Sequence, residues 1–502
     1  MPSDRGLLST PSTIPRMSNR LSALEPTGDE MRELTRLATD RIVEHIESLP
    51  RQPSLDIAGG RELAASLAEG PPEVGTSAEE LLELIFERAT PTSFTNPGPG
   101  FMAYIPGGGL FESALADFIA GAINRYVTVW TAAPGLVQLE VNVIRWFCRM
   151  IGYSDRAGGF LSSGGSLANF SAIFTARRER LPENFLDGTI YVSNQVHHSV
   201  GRAATLAGFP ESALRTVAVD SERRIDLQNL KELIGADRTC GRKPFLVVGS
   251  VGTTNTGAID DLEGLAEVAS SERLWLHLDA AYGGFFALTE RGRKRMAGIE
   301  LADSITLDPH KGLFLPYGTG CLLVKDVGTL QRAHTVEADY MPPMQDSEEL
   351  VDFCEISPEL SRDYRGLRVW LPIKIHGLEA FRSALDEKLD LTQEAHRELQ
   401  AIAGIEIVAA PQLSVVAFRL APPGVAEQDL NQLNRDLLER INAKKRVFLT
   451  ETVLDGRFVI RICVLNFRTH RDRIEMCLDD IRASVREVLA SDRSATSRSR
   501  DT

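Results

Sequence analysis

Two short stretches of this chain carry residue types that could stabilise a carbanion. Trp275-Leu276-His277-Leu278-Asp279-Ala280-Ala281-Tyr282-Gly283-Gly284 is an apolar run that ends in one carboxylate, Asp279. Asp303-Ser304-Ile305-Thr306-Leu307-Asp308-Pro309-His310-Lys311-Gly312 ends in a His-Lys pair at the mouth of a Gly/Pro-rich segment. A fixed carboxylate beside a protonated ring nitrogen makes a pyridine ring an electron sink, and a lysine amine can hold an aldehyde-bearing ring as an imine. The two stretches together suit pyridoxal 5'-phosphate (PLP). Asp279 would hold the pyridinium nitrogen, with Ala281 also against the cofactor. Lys311 would form the aldimine, exchange it for the substrate amine and later move protons, and His310 would lie on the phosphate side. Taken singly, Lys311 also reads as a turn lysine and Asp279 as a strand-end carboxylate.

The segments around Asp279 and His310-Lys311 resemble the group II PLP-dependent amino acid decarboxylases, the family of aromatic-L-amino-acid, glutamate and histidine decarboxylases with the fold of aspartate aminotransferase. The likeness runs from about Asp29 to about Ala490. It implies a fold-type-I, α/β enzyme with a mostly parallel seven-stranded sheet in a large domain, a C-terminal α+β domain, and N-terminal helices that lie across a partner subunit in a homodimer.

Composition agrees with an enzyme of this size. The 502 residues, 43 % hydrophobic and 25 % charged, suffice for two or three domains with a large core. A net charge of −14 argues against binding nucleic acid or an anionic membrane as the main activity. Six scattered cysteines form no CxxC and no Cys/His set at metal-ligand spacing, and so read as reduced thiols of a cytoplasmic protein. Met1 to Glu25 is rich in Ser, Pro and Arg without an apolar core, which suggests a disordered leader rather than a secretory signal. No apolar run reaches the roughly 20 residues of a membrane span.

The elements needed to position the chemistry follow in order. Apolar residues at helical spacing predict a helix over Gly28–Ser48, and a Ser-Ala-Glu-Glu capping box starts another at Ser77, running to Ala89. Phe101 to Gly109 contains a glycine run without the GK[ST] of a phosphate loop. The resemblance places the substrate-side wall here, with Tyr104, Ile105 and Gly107, continued by the helix Leu110–Ile123 and by Thr128. Small Gly107 and polar Thr128 stand where aromatic-substrate relatives tend to carry bulkier or more apolar groups. A helix over Gly135–Ile151 leads to Gly158 to Phe170, an apolar stretch, a Ser/Gly turn and a helix start that could offer backbone N–H groups to a phosphate. Gly165 and Ser166 match the centre of the family's phosphate cup. His197 and His198 follow the strand Thr189–Ser193, and the resemblance assigns His197 to stacking on the pyridine ring. Apolar strands alternating with helices through Phe245–Thr254 and Leu274–Leu278, then strands Ser304–Leu307 and Gly320–Val324, fit a buried parallel sheet. Ser250 would be a polar contact near the ring.

After Lys325 an irregular stretch, Tyr340 to Phe353, corresponds to the family's catalytic lid. A tyrosine that returns a proton to the substrate carbon is expected there. An ungapped count puts Phe353 at its place, and phenylalanine has no proton to give. Relatives with that exchange react with dioxygen and release an aldehyde; Tyr340, Tyr364 or a histidine could otherwise be the acid. From Leu378 a long helix and four alternating strands form the C-terminal domain. Arg461, a charge in an apolar strand, calls for an anionic partner, either a substrate or lid carboxylate or a structural ion-pair partner. The resulting division is a disordered leader (1–27), a helical dimerisation segment (28–100), a large PLP domain (101–377), a small domain (378–490) and a disordered tail (491–502). The expected activity is decarboxylation of an L-amino acid, with aldehyde synthesis and a non-catalytic PLP-binding scaffold as alternatives.

Overall fold

The computed structural model describes residues 24–335 and 350–498, with side chains to residue 490. The lid residues Tyr340 to Glu349, most of the leader and the last of the tail lie outside them. Contacts divide the chain into two compact units, residues 1–51 with 57–93 and residues 52–56 with 94–502.

In the first unit, Thr27 caps the helix Gly28–Ser48 and Glu30 reciprocates, its Oε2 accepting from Thr27 N at 2.8 Å. The helix expected from Ser77 to Ala89 is shorter in its α-helical part. Ser77 Oγ accepts from Glu80 N to start Ala78–Glu83, and the chain then widens into a π-helical turn over Leu84–Ala89. No residue of Gly28–Ser48 is buried, and its apolar face (Met31, Leu34, Ile42, Val43) is exposed.

The second unit holds two sheets. The first has the order β1 (Gly158–Ser162), β7 (Gly320–Val324), β6 (Ser304–Leu307), β5 (Trp275–Asp279), β4 (Lys243–Ser250), β2 (Gly188–Ser193), β3 (Leu214–Val217). Every neighbouring pair is parallel except the two made by β7. β2, β5, β6 and β7 are buried along their whole length, so they read as continuous apolar runs rather than alternating ones. β3 escapes such a reading: it is a four-residue edge strand, only Val217 of which is buried. β7 can close on the turn after β1 because it starts with glycine. A Cβ on Gly320 would lie 2.5 Å from the Gly164 backbone.

The second sheet, β10 (Thr450–Leu454), β11 (Arg457–Cys463), β9 (Val415–Leu420), β8 (Ile405–Ala409), is antiparallel throughout. The helices Glu427–Ala443 and Arg471–Arg498 share its core. The long helix expected from Leu378 is the second half of Arg365–Gln400. Gly377 breaks it, with φ 70° and ψ 160°, a conformation open to glycine.

Outside both sheets, Arg362 and Glu140 form an ion pair with both side chains fully buried, and the Arg362 guanidinium lies 4.7 Å from the Phe353 ring centroid. Removing one partner strands the other's charge. Glu140→Ala is expected to cost about 3–5 kcal/mol, read from the urea midpoint, and the double variant Glu140→Leu/Arg362→Met to recover most of it.

Candidate active site

A cavity of about 290 Å³ opens where β4, β5 and β6 end. These are the carboxyl ends of adjacent parallel strands, where open α/β sheets hold ligands. Asp279 closes β5, and Ser250 closes β4 beside it. Lys311 lies on the short helix Pro309–Gly312 that follows β6. The Ser/Gly turn after β1 brings Gly165 and Ser166 to the same cavity, and the end of β2 brings His197. Lys311, Asp279, His197, Gly165, Ser166, Ser250, Ala281 and His310 all line it.

Asp279 accepts two fixed hydrogen bonds, from Asn169 Nδ2 at 3.0 Å and from Ala281 N at 3.2 Å. A carboxylate only accepts, so the amide nitrogen of Asn169 faces Asp279, and its oxygen faces the other way. That oxygen accepts from Thr306 Oγ1 at 2.7 Å and from His277 Nε2 at 3.0 Å. His277 must therefore carry its proton on Nε2. Its Nδ1 accepts from Ser304 Oγ at 2.8 Å, a hydroxyl that itself accepts from Trp275 Nε1. In the other direction Asn169 Nδ2 donates to Ser199 Oγ at 3.0 Å, and Ser199 Oγ donates to His197 Nδ1 at 2.8 Å. His197 also caps its helix, Nδ1 accepting from Ser199 N at 3.3 Å. Two donors on Nδ1 leave the proton of neutral His197 on Nε2.

The electrostatics support these assignments. Burial pushes His277 down to about 4 and pulls His197 below the ordinary histidine value, with Asp279 partly opposing the latter. Burial also lowers His310, whose Nδ1 donates to Thr319 O at 2.6 Å. Burial alone would lower Lys311, but the Asp308 carboxylate at 2.7 Å, with help from Asp279, outweighs it and raises the ammonium above the usual lysine value.

The expected substrate wall lies elsewhere in this single chain. Tyr104 is half exposed in a left-handed turn (φ 51°), Ile105 belongs to the main core, and Gly107 donates its N–H to Tyr317 Oη. Thr128 is fully buried, and Phe353 packs in an apolar cluster with Phe160 and Val324. None of them lines the cavity, nor does Arg461. Arg461 donates to three neutral oxygens, Asn255 O, Thr450 Oγ1 and Tyr104 O, in place of the anion expected from its sequence. Several short dipoles share the task of one counter-charge.

Residues 65–421 match the family model described as the pyridoxal-dependent decarboxylase conserved domain. The chain belongs to the pyridoxal-dependent decarboxylases. It is similar to an aromatic-L-amino-acid decarboxylase of Bacillus atrophaeus, 36% identical over 93% of this chain and 98% of the relative. It is similar also to a phenylacetaldehyde synthase of Arabidopsis thaliana, 26% identical over 87% of this chain and 92% of that protein. Among solved structures, Catharanthus roseus tryptophan decarboxylase in complex with L-tryptophan matches with a TM-score of 0.87 at 25% identity, over 93% of this chain and all of that one.

The residues of this pyridoxal-dependent decarboxylase fit its cofactor. The helix Gly165–Arg180 starts without a side-chain cap, so its first amides can serve an anion, and Gly165 has no side chain to fill the cradle. Four residues without a motif also bear on the cavity: Asn169, Ser199 and Asp308 line it, and His277 bonds to Asn169 behind it. Only His277 left a signal, a histidine two positions before Asp279 and hence on the same strand face.

A histidine held neutral in the fold but free to protonate when unfolded destabilises the fold as pH falls. The unfolded chain takes up that proton at about 6.5 and the folded one only near 4. His277→Gln should therefore flatten the acid limb: between those two values the wild type loses about 3 kcal/mol more than the variant, measured by urea titration at stepped pH.

Proposed function

We propose that this pyridoxal-dependent decarboxylase converts an aromatic L-amino acid to its amine and carbon dioxide, as a homodimer in the cytoplasm. The observation that carries the reading is the convergence of Lys311, Asp279 and His197 on one cavity with the uncapped helix start at Gly165. The aromatic class rests on the Bacillus relative.

When bound, PLP supplies an electron sink conjugated to the substrate Cα, which takes up the electron pair of the broken Cα–carboxylate bond as carbon dioxide leaves. Asp279, fixed by Asn169 and the Ala281 amide, holds a proton on the ring nitrogen. Lys311 Nζ, which lines the same cavity, would be the amine that holds the cofactor's aldehyde. His197 would lie against the ring, its Nε2–H the donor left for the substrate carboxylate. Gly165, Ser166 and His310 would position the phosphate, with Ser250 and Ala281 against the ring.

Dimer formation is supported by apolar surface. The helix Phe111–Ile123 exposes Phe111, Leu115, Phe118, Ile119 and Ile123, and Ile375 and Leu378 are exposed as well. Such a stripe fits a second copy better than water. Six free cysteines suit a reducing compartment, and no helix among the described residues is long and apolar enough to cross a membrane.

A second reading rests on the sequence count that puts Phe353 at the lid position, although its ring packs in an apolar cluster and does not line the cavity. Without a hydroxyl at the lid position, dioxygen would take the electron pair, and the amino acid, dioxygen and water would yield aldehyde, carbon dioxide, ammonia and hydrogen peroxide.

Incubation with PLP and aromatic and acidic L-amino acids, with amine, aldehyde and peroxide quantified together, separates the two. Amine without peroxide is expected, and Lys311→Ala should lower its formation roughly a thousandfold or more. Phe118→Asp should shift the wild-type dimer towards monomer in sedimentation velocity, because a carboxylate cannot be buried there unpaired.

A further inference from the structure

Asp308 has no assigned role. It is 2 % exposed and caps no amide with its side chain. Oδ2 accepts from Lys311 Nζ at 2.7 Å, but Oδ1 is buried without a hydrogen-bond partner. Both oxygens face the glycine cradle: a Cβ on Gly165 would lie 3.1 Å from Oδ2 and 3.3 Å from Oδ1. A bare carboxylate thus stands at the place where a phosphate is to be held.

The surroundings offer it little positive charge. Among the cavity's described lining residues, Lys311 is the one permanent cation. Once Nζ bonds to the cofactor aldehyde, its ion pair with Asp308 is given up. His310 Nε2 is 3.6 Å from Asp308 Oδ2, but the His310 proton is committed to Thr319 O and burial disfavours a second one. Arg368, beyond Thr319, is bound to Asp117, Gly318 O and Thr319 Oγ1. Two adjacent anions in a buried cup cannot both stay fully ionised, whereas one proton between them makes a short, charge-assisted O–H···O bond. A phosphate monoester, with a second ionisation near 6, can supply that proton close to neutrality. A sulfate dianion cannot.

We propose that the cup binds its phosphate group in a singly protonated form, the proton shared with Asp308, and that it therefore selects phosphate over sulfate. This rests on the seating of the PLP phosphate at Gly165 and Ser166. No bond other than the O–H is exchanged: the proton enters with the phosphate and stays between the two oxygens.

The test uses the full chain freed of PLP, with inorganic phosphate and sulfate competing against PLP uptake followed by visible absorbance. In Lys311→Ala, where Asp308 has no ammonium partner, phosphate should compete at least roughly tenfold better than sulfate, and in Lys311→Ala/Asp308→Asn the two should agree within about threefold. The ³¹P resonance of the loaded wild type at about pH 8 should sit at the monoanion position, and that of Asp308→Asn at the dianion position. Equal competition by the two anions in Lys311→Ala, or a dianion resonance in the loaded wild type, overturns the proposal and leaves the cofactor assignment intact. Absence of PLP uptake by the wild type overturns the seating itself.

Discussion

A carboxylate at the end of a buried strand stays in place only if fixed donors meet it, and for Asp279 the side-chain donor is Asn169. The Asn169 amide is fully used. Its nitrogen serves Asp279 and Ser199, and its oxygen takes His277 and Thr306. One side chain from the helix after β1 therefore ties the ends of β5 and β6 to the helix His198–Leu206. Removing that amide would strand Asp279 with one backbone donor, release the His277 ring, and free Ser199 from the orientation that sets His197. Buried networks of this kind are all or nothing, since each member's partner is another member.

The sheet order makes the network possible. β5 lies between β4 and β6, so His277 is beside Ser304 and Asp279 beside Ser250 and Thr306. Polar residues with short side chains at these positions can pair across a 5 Å strand spacing without admitting water. Larger ones could not share the space with the helix Gly165–Arg180, which packs on the same face.

Much of this was legible in the sequence, but unevenly. Asp279, His310 and Lys311 stood out because their chemistry needs particular residue types within a short, recognisable stretch, and the buried strands stood out as apolar runs. Asn169 and Ser199 did not. An asparagine inside a helix and a serine in a helix's first turn have ordinary explanations, and only folding brings Asn169 to Asp279 across 110 residues and to Ser199 across 30. Arg461 shows a different limit. Its burial was readable from the apolar residues around it, but a guanidinium has five donors, and sequence does not say whether carbonyls or a carboxylate will meet them. Phe353 belongs with it: a phenylalanine placed by counting along an irregular stretch carries no information about which apolar neighbours it packs among.

The two cavity aspartates show how environment divides roles within one residue type. Asp279 has both oxygens committed to donors within the fold, which suits it to hold one ring nitrogen under the proposed function. Asp308 has one oxygen on a lysine that must move during the reaction and one oxygen on nothing. A group with a replaceable partner can follow the charge of what enters. Fixed acceptance at β5 and exchangeable pairing after β6 thus line the same small cavity: under the proposed function the first would hold an electron sink in one state, and the second would let Lys311 leave Asp308 for another bond.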